Sequence, residues 1–187
     1  MTAVPHKIRL ATMADVPALL QLIAESVRGL SMGFYSREQI EVSLADVFGV
    51  DTQLIDDETY FVIDGDGVPA AAAGGWSGRR TLFGGSHMKR SDGDPRLDPA
   101  TEPARIRAFF VHPDYARQGL ARQLYHRCAR DAYAAGFRHF ELMATLPGKP
   151  LYDALGFAPV EAVSLPMHGD VQLPLLYMRR TIQRDSA

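Results

Sequence analysis

The sequence predicts an α+β protein with a mixed α/β sheet, built as one domain over residues 1–187. Of its 187 residues, 47% are apolar and 22% are charged, which is typical of globular proteins. Helical and strand periodicities alternate along the chain, and no repeat, low-complexity tract or domain boundary interrupts them. The predicted order of elements is β-α-α-β-β-β-α-β-α-β-β, which contains seven strands.

The first half of the chain predicts a strand, two amphipathic helices and a hairpin. Ser36 and Gln39 form a capping box before the second helix, which Gly49 can end after Phe48. A DGDG turn separates the last two strands of this half. The predicted elements are a strand at 7–10, a helix over 16–27, a second helix over 37–48, and strands at 59–63 and 68–76.

The second half begins with a 25-residue segment, 78–102, that has no clear period. Segments of this length inside a compact domain are commonly functional. The elements predicted after it are a strand at 105–111, a helix from Gly119 to near Gly136, a strand at 137–144, a short helix at 151–155, and strands at 160–165 and 171–179.

Composition excludes several classes of protein. The one cysteine, Cys128, allows neither an internal disulfide nor a multi-cysteine zinc site, and its helical face predicts core packing. The longest stretch without a charged side chain, residues 67–78, is well short of the ~20 residues of a membrane span. The N-terminal residues lack the apolar segment of a secretory signal. We therefore expect a cytoplasmic protein without a metal site or a membrane contact.

Charge is unevenly distributed although the net charge is only −2. Residues 36–66 hold nine acidic side chains and one basic side chain, whereas residues 105–138 hold seven arginines and two acidic side chains. The net charge gives no argument for a nucleic-acid partner. The basic segment predicts a local site for a small polyanion, although a solvated arginine-rich helix face would explain it equally well.

The segment 109–122, FFVHPDYARQGLAR, is an apolar strand that runs through a turn at Pro113 into a loop and a helix. Such a loop can direct several backbone N–H groups at one anion, and the helix dipole adds to the attraction. Gly119 permits close approach of a phosphate, and Arg117 and Arg122 add positive charge. A strand–loop–helix unit alone does not identify a function.

A second segment, PLYDALGF at 150–157, makes the chain recognisable. In this order and separation, the two segments resemble the GNAT superfamily of N-acetyltransferases. In that family V-x-P leads to Q/R-x-x-G-x-G/A, and L-Y-x-x-x-G-F follows later. Ala116 stands at the Q/R position here. The resemblance implies a single GNAT-like domain, with a central twisted, mostly antiparallel sheet of about seven strands and helices on both faces.

The resemblance also implies acetyl-CoA as co-substrate, its pyrophosphate bound by the loop before the helix. The backbone N–H near Phe110 or Val111 is the implied donor to the oxyanion. Thr145 stands where many members have an asparagine that contacts the cofactor arm. The implied cofactor-binding residues are Phe109, Phe110, Val111, Arg117, Gln118, Gly119, Leu120, Ala121, Arg122 and Thr145.

Members of the family transfer an acetyl group from the thioester to an amine in a ternary complex. Tyr152 is the implied general acid, because its usual pKa of ~10 keeps the hydroxyl protonated for return to a thiolate. Packing of the short helix is the alternative role. No general base is identifiable: the 105–111 strand has no carboxylate, Glu102 could act only through water, and His112 is expected to be an exposed turn residue.

The segment 78–102 is predicted to form a wall or lid of the acceptor site, with Trp76 and Arg79 as contact candidates. A disordered surface insertion is the alternative. Its basic residues, Arg80, His87, Lys89 and Arg90 among them, would suit an acceptor that carries a carboxylate or phosphate. The predicted function is acetyl transfer to a small-molecule or peptide amine; the alternative is a CoA-binding or ligand-sensing module with little activity. The resemblance also implies a homodimer as one assembly of the chain.

Overall fold

The computed structural model of the protein describes residues 7–86 and 93–183, and seven strands within them form one sheet. The sheet order is β1-β2-β3-β4-β5-β7-β6, and only β4 and β5 are paired in parallel. This confirms the predicted mostly antiparallel sheet. The strands are β1 (Ile8–Leu10), β2 (Tyr60–Ile63), β3 (Ala72–Ser77), β4 (Ala104–Val111), β5 (His139–Thr145), β6 (Ala158–Pro166) and β7 (Gln172–Thr181).

Helices cover both faces of this sheet, as predicted. They are α1 (Val16–Leu30), α2 (Arg37–Asp46), α3 (Thr52–Asp56), α4 (Leu120–Ala134) and α5 (Lys149–Ala154). Side chains along each strand alternate between two cores: Phe61 and Ile63 face the core that holds α4 and α5, and Tyr60 and Val62 face the core that holds α1, α2 and α3. Among the described residues, no helix is long and apolar enough to cross a bilayer.

The capping box before α2 is present, but the helix is shorter than predicted. The Ser36 hydroxyl accepts a hydrogen bond from the Gln39 N–H at 3.1 Å, and the Gln39 side chain accepts one from the Ser36 N–H at 2.8 Å. The helix ends at Asp46, so Phe48 lies in the connection to α3 rather than on a helix face. The helix α3 was not predicted, because five residues are too few to show a helical period.

Strand β4 contains the irregularity that positions the site. Ala73 pairs with Phe110 and Gly75 pairs with Arg107, so β4 holds one residue more than β3 between the same pairs. This β-bulge coincides with Ala108, which adopts a left-handed backbone conformation with φ of 54°. Pairing between β4 and β5 is confined to the first two residues of β4. From Ile106 onward the two strands are not paired, and they leave a gap in the middle of the sheet.

Candidate active site

A cavity of about 770 Å³ lies where β4 and β5 separate. Its lining residues belong to both cores, so the cavity joins the two faces of the sheet. The part beside residues 115–122 is the α4 end, and the part beside Phe48 and Phe83 is the α2 end. Ten residues that the sequence singled out line it: Phe109, Phe110, Val111, Arg117, Gly119, Leu120, Ala121, Arg122, Thr145 and Tyr152.

The bulge distributes neighbouring side chains of β4 between the two faces. Phe109 packs against the core that holds α4, and Phe110 packs against the core that holds α1. Opposite them, a Cβ at Gly74 would come within 2.7 Å of the Phe109 ring. Glycine is therefore required at this position of β3, because it leaves room for the ring at the wall of the gap.

The loop before α4 has the backbone of an anion site. Arg117 (φ 65°) and Gly119 (φ 83°) are left-handed, and Gln118 between them is not. Alternation of this kind is typical of backbone anion sites, and here it leads directly into the N-terminus of a 15-residue helix. Arg117 and Arg122 are exposed and have no polar partner among the described residues. Gln118 does not line the cavity, and its side-chain amide donates to the Asp114 carbonyl at 3.1 Å.

Tyr152 is buried, with 8% of its surface exposed, and lines the cavity from α5. Its ring packs edge-to-face on Phe157, with the centroids 5.6 Å apart. Burial raises the pKa of Tyr152 well above its usual value, so the hydroxyl stays protonated at neutral pH. Beside it, the Thr145 hydroxyl accepts a hydrogen bond from the Gly148 N–H at 3.2 Å, which closes the turn into α5.

The Val111 N–H has a partner that the sequence did not indicate. Because the His112 N–H donates to the Ala71 carbonyl of the neighbouring strand at 2.9 Å, the N–H one residue earlier points to the opposite edge, into the gap. There it donates to the hydroxyl of Ser26 at 3.2 Å, a buried residue of α1 that also lines the cavity. An oxyanion at this N–H would have to displace that hydroxyl.

A buried ion pair supports the α2 end. The Arg107 guanidinium lies 2.9 Å from the Asp51 carboxylate, with side chains 2% and 1% exposed. Arg107 also donates to the carbonyls of Thr81 at 2.9 Å and Gly84 at 2.6 Å. Burial lowers the pKa of Arg107, and Asp51 opposes that effect. One side chain therefore fixes both the start of the 78–102 segment and the connection before α3.

The two predicted acceptor contacts, Trp76 and Arg79, lie outside the cavity. Trp76 is buried in the core with its ring edge-to-face on Phe137. The Arg79 guanidinium donates to the Asp57 carboxylate at 2.6 Å and to the Asp94 carbonyl at 2.9 Å. Both side chains hold the fold together, so neither is placed to meet a substrate in the cavity.

The residues weighed as a base are also engaged elsewhere. The Glu102 carboxylate accepts the Asp98 N–H at 2.8 Å, and Glu102 does not line the cavity. His112 is largely buried rather than exposed: its Nδ1 accepts the Asp114 N–H at 3.2 Å, and its Nε2 lies 3.0 Å from the Glu25 carboxylate. Cys128 is fully buried in the core, as predicted, and burial raises the pKa of its thiol.

The 78–102 segment does contribute to the cavity wall. Leu82, Phe83 and Gly84 line the α2 end. A β-bridge between Arg79 and Arg96 also connects two parts of the described segment. The basic residues His87, Lys89 and Arg90, which were expected to face an acceptor, lie outside the described residues.

Comparison with known proteins decides the family. Residues 24–157 match the model of the acetyltransferase (GNAT) family, which is more than half of the chain. The chain belongs to the GNAT family. The match includes both motifs, from the loop before α4 to the end of α5.

Solved GNAT structures share the fold. A GCN5-related N-acetyltransferase from Rhodopseudomonas palustris superposes with a TM-score of 0.69 at 16% identity, covering 97% of this chain and 98% of that one. The PaiA N-acetyltransferase of Thermoplasma acidophilum, solved with coenzyme A, gives 0.61 at 13% identity, covering 95% and 99%. The YncA acetyltransferase of Salmonella typhimurium, solved with acetyl-CoA, gives 0.59 at 18% identity, covering 97% and 96%.

The residues of this GNAT chain fit an acyl-CoA. The left-handed loop and the exposed arginines at the α4 end suit a pyrophosphate. The gap between β4 and β5 presents unpaired strand edges to an amide-containing arm, and Thr145 lies beside it. Among the described residues, no group of three His, Cys, Asp or Glu side chains could hold a metal ion.

Proposed function

We propose that this GNAT protein transfers the acetyl group of acetyl-CoA to a primary amine by direct attack in a ternary complex. One observation carries the proposal. The same cavity joins an anion-binding loop, a buried and protonated tyrosine and an apolar end on the opposite face of the sheet. Two substrates entering from the two faces would meet in the gap between β4 and β5.

The α4 end would bind the cofactor. Backbone N–H groups of the loop before α4, together with Arg117 and Arg122, would bind its pyrophosphate. The acyl arm would extend along the separated edges of β4 and β5 to Tyr152. The acceptor would then approach from the α2 end, past Phe48 and Phe83.

In the transfer step, the amine nitrogen bonds to the carbonyl carbon and the carbon–sulfur bond breaks. The Tyr152 hydroxyl donates its proton to the departing thiolate. The nitrogen releases a proton when its bond forms, and that proton restores the tyrosine. The raised pKa of Tyr152 keeps the donor loaded, so we expect no loss of rate from its ionisation below about pH 10.

The variant Tyr152→Phe tests this proposal. It removes the hydroxyl but retains the ring that packs on Phe157. We expect kcat to fall about 100-fold, with acetyl-CoA affinity unchanged, as for the loss of a general acid. Tyr133→Phe is the matched control, because Tyr133 lies on α4 and does not line the cavity.

Each outcome of this test has a separate meaning. Unchanged turnover in Tyr152→Phe, with chemistry rate-limiting, would show that Tyr152 is not the acid. Tight acetyl-CoA binding without acetylation of any amine would favour the alternative, a CoA-binding or ligand-sensing module.

A further inference from the structure

The α2 end of the cavity is an apolar wall of three aromatic rings and a thioether: Phe48, Phe83, Phe110 and Met143. All four are partly buried and pack against the core that holds α1. The rings of Phe48 and Phe110 meet edge-to-face, with centroids 6.0 Å apart and planes at 82°. Rings in this arrangement leave faces and edges that a flat apolar molecule can contact.

Backbone hydrogen bonds hold this wall in place before any acceptor arrives. The Gly85 N–H donates to the Val47 carbonyl and the Ser86 N–H to the Val50 carbonyl, each at 3.1 Å. These bonds fix the segment that carries Phe83 against the segment that carries Phe48. A preformed apolar surface of this kind favours ligands that match it and pays little ordering entropy on binding.

The charged side chains among the described residues that line the cavity are all cationic. The charged side chains among its described lining residues are Arg107, Arg117 and Arg122, and its phenols are Tyr115 and Tyr152; none of these lining residues is Asp, Glu, His or Lys. Four acidic groups of the elements packed around it lie in ion pairs: Asp51 with Arg107, Glu25 with His112, Asp46 with His168, and Asp57 with Arg79.

An ammonium group that entered the α2 end would lose its hydration and meet no carboxylate among the described lining residues. Burial of a cation without a partner is strongly unfavourable. We propose that the acceptor is a primary amine with an aromatic or similarly apolar body, which binds at the α2 end in its uncharged form. The inference rests on the proposed acetyl transfer and names its substrate class.

The lining residues of the cavity also predict how kcat/KM depends on pH. With no base among the described lining residues, the amine loses its proton in solution before it binds. The value of kcat/KM should then follow the neutral fraction of each acceptor, and its midpoint should move with the pKa of the acceptor. A base on the protein would instead give every acceptor the same midpoint.

The experiment measures CoA release at saturating acetyl-CoA with four probes: 2-phenylethylamine, p-toluidine, spermidine and kanamycin. The kcat/KM values are measured at one pH, and each is divided by the fraction of the amine that is neutral at that pH. We expect the corrected values of the two aromatic amines to be at least tenfold higher than those of spermidine and kanamycin. Between about pH 6.5 and about pH 9.5, the rate with 2-phenylethylamine should rise about tenfold per unit. The rate with p-toluidine, which is neutral throughout, should stay flat.

Two variants locate the effect. Phe48→Ala should raise the KM for 2-phenylethylamine about tenfold and leave acetyl-CoA affinity unchanged. Phe48→Glu places a carboxylate at the wall, and should shift the ratio of spermidine to 2-phenylethylamine activity about tenfold toward spermidine. Leu20→Ala is the matched control, because Leu20 is 52% exposed on α1 and lies outside the cavity.

Preference for spermidine or kanamycin, or a shared pH midpoint for both aromatic amines, would overturn the inference while leaving acetyl transfer intact. Acetyl-CoA binding without acetylation of any probe would overturn the proposed function, and the inference with it. Direct measurement of acetyl-CoA affinity by calorimetry separates these two results.

Discussion

Arginines at the two ends of the cavity are held in opposite ways. At the α4 end, Arg117 and Arg122 are exposed and have no partner among the described residues. At the α2 end, Arg107 is 3% exposed and bonds to Asp51 and two backbone carbonyls. An arginine is thus free to bind a ligand where it is exposed to water. Where it is buried, it instead holds neighbouring segments together through an ion pair and hydrogen bonds. The excess of arginine in residues 105–138 could not distinguish these roles.

The largest expected effect comes from removing the buried ion pair between Arg107 and Asp51. Arg107→Met removes the cation beside the buried Asp51 carboxylate, and we expect a loss of about 3–5 kcal/mol in the free energy of unfolding. Urea denaturation measures it. The double variant Asp51→Asn with Arg107→Met should recover part of the loss, because no charge remains buried.

Arg122→Met is the control for that measurement. As an exposed substitution, it should change the free energy of unfolding by less than about 0.5 kcal/mol. Equal losses in Arg107→Met and Arg122→Met would remove the distinction between the two ends.

A charge placed in the anion loop should have the next largest effect. Gly119→Asp brings a carboxylate to the expected pyrophosphate position, so we expect acetyl-CoA affinity to fall about 100-fold. Isothermal calorimetry and thermal protection by acetyl-CoA report it. Gly119→Asn introduces the same backbone strain without the charge, so it should lower acetyl-CoA affinity much less. Gly169→Asp changes another left-handed glycine (φ 69°), which lies outside the cavity, and should leave acetyl-CoA affinity unchanged.

The smallest expected effect is on acetyl-CoA binding, when either exposed arginine of the α4 end is removed. Arg117→Ala and Arg122→Ala should each weaken acetyl-CoA binding about 3- to 10-fold at low salt, and less at high salt because exposed charges are screened. Arg130→Ala, on the same helix but outside the cavity, should leave binding unchanged. Salt-independent losses would mean that these arginines act through packing rather than charge.

Local signals allowed much of this molecule to be predicted. Features that involve only a few neighbouring residues can be recognised from one sequence. Examples are the capping box at Ser36, the glycine at 119 and the periodicity of the strands. Phe48 was placed on a helix that ends two residues before it, because apolar spacing alone does not mark where a helix stops. Its position in the connection is what brings the ring to the cavity wall.

The remaining features depend on contacts between distant residues. Nothing distinguished Asp51 from the eight other acidic residues of 36–66, although an arginine inside the apolar strand 104–111 was a signal that a buried acid must lie somewhere. The residues alone gave no pattern for the bulge at Ala108, which only the family resemblance implies, or for the Ser26 hydroxyl behind Val111. Both arise when strands and helices pack, which is a property of the fold rather than of any segment.

The burial of Cys128 matters for the product of the proposed reaction. Each turnover would release a free CoA thiol, which dissolved oxygen can oxidise to CoA disulfide. An accessible protein thiolate could attack that disulfide, form a mixed disulfide with one CoA and release the other as a thiol. The one cysteine of this chain is fully enclosed, and its raised pKa keeps the reactive thiolate scarce. The folded protein is therefore expected to escape capture as a mixed disulfide with CoA. For the same reason a thiol-specific dye added to the native protein would count CoA alone.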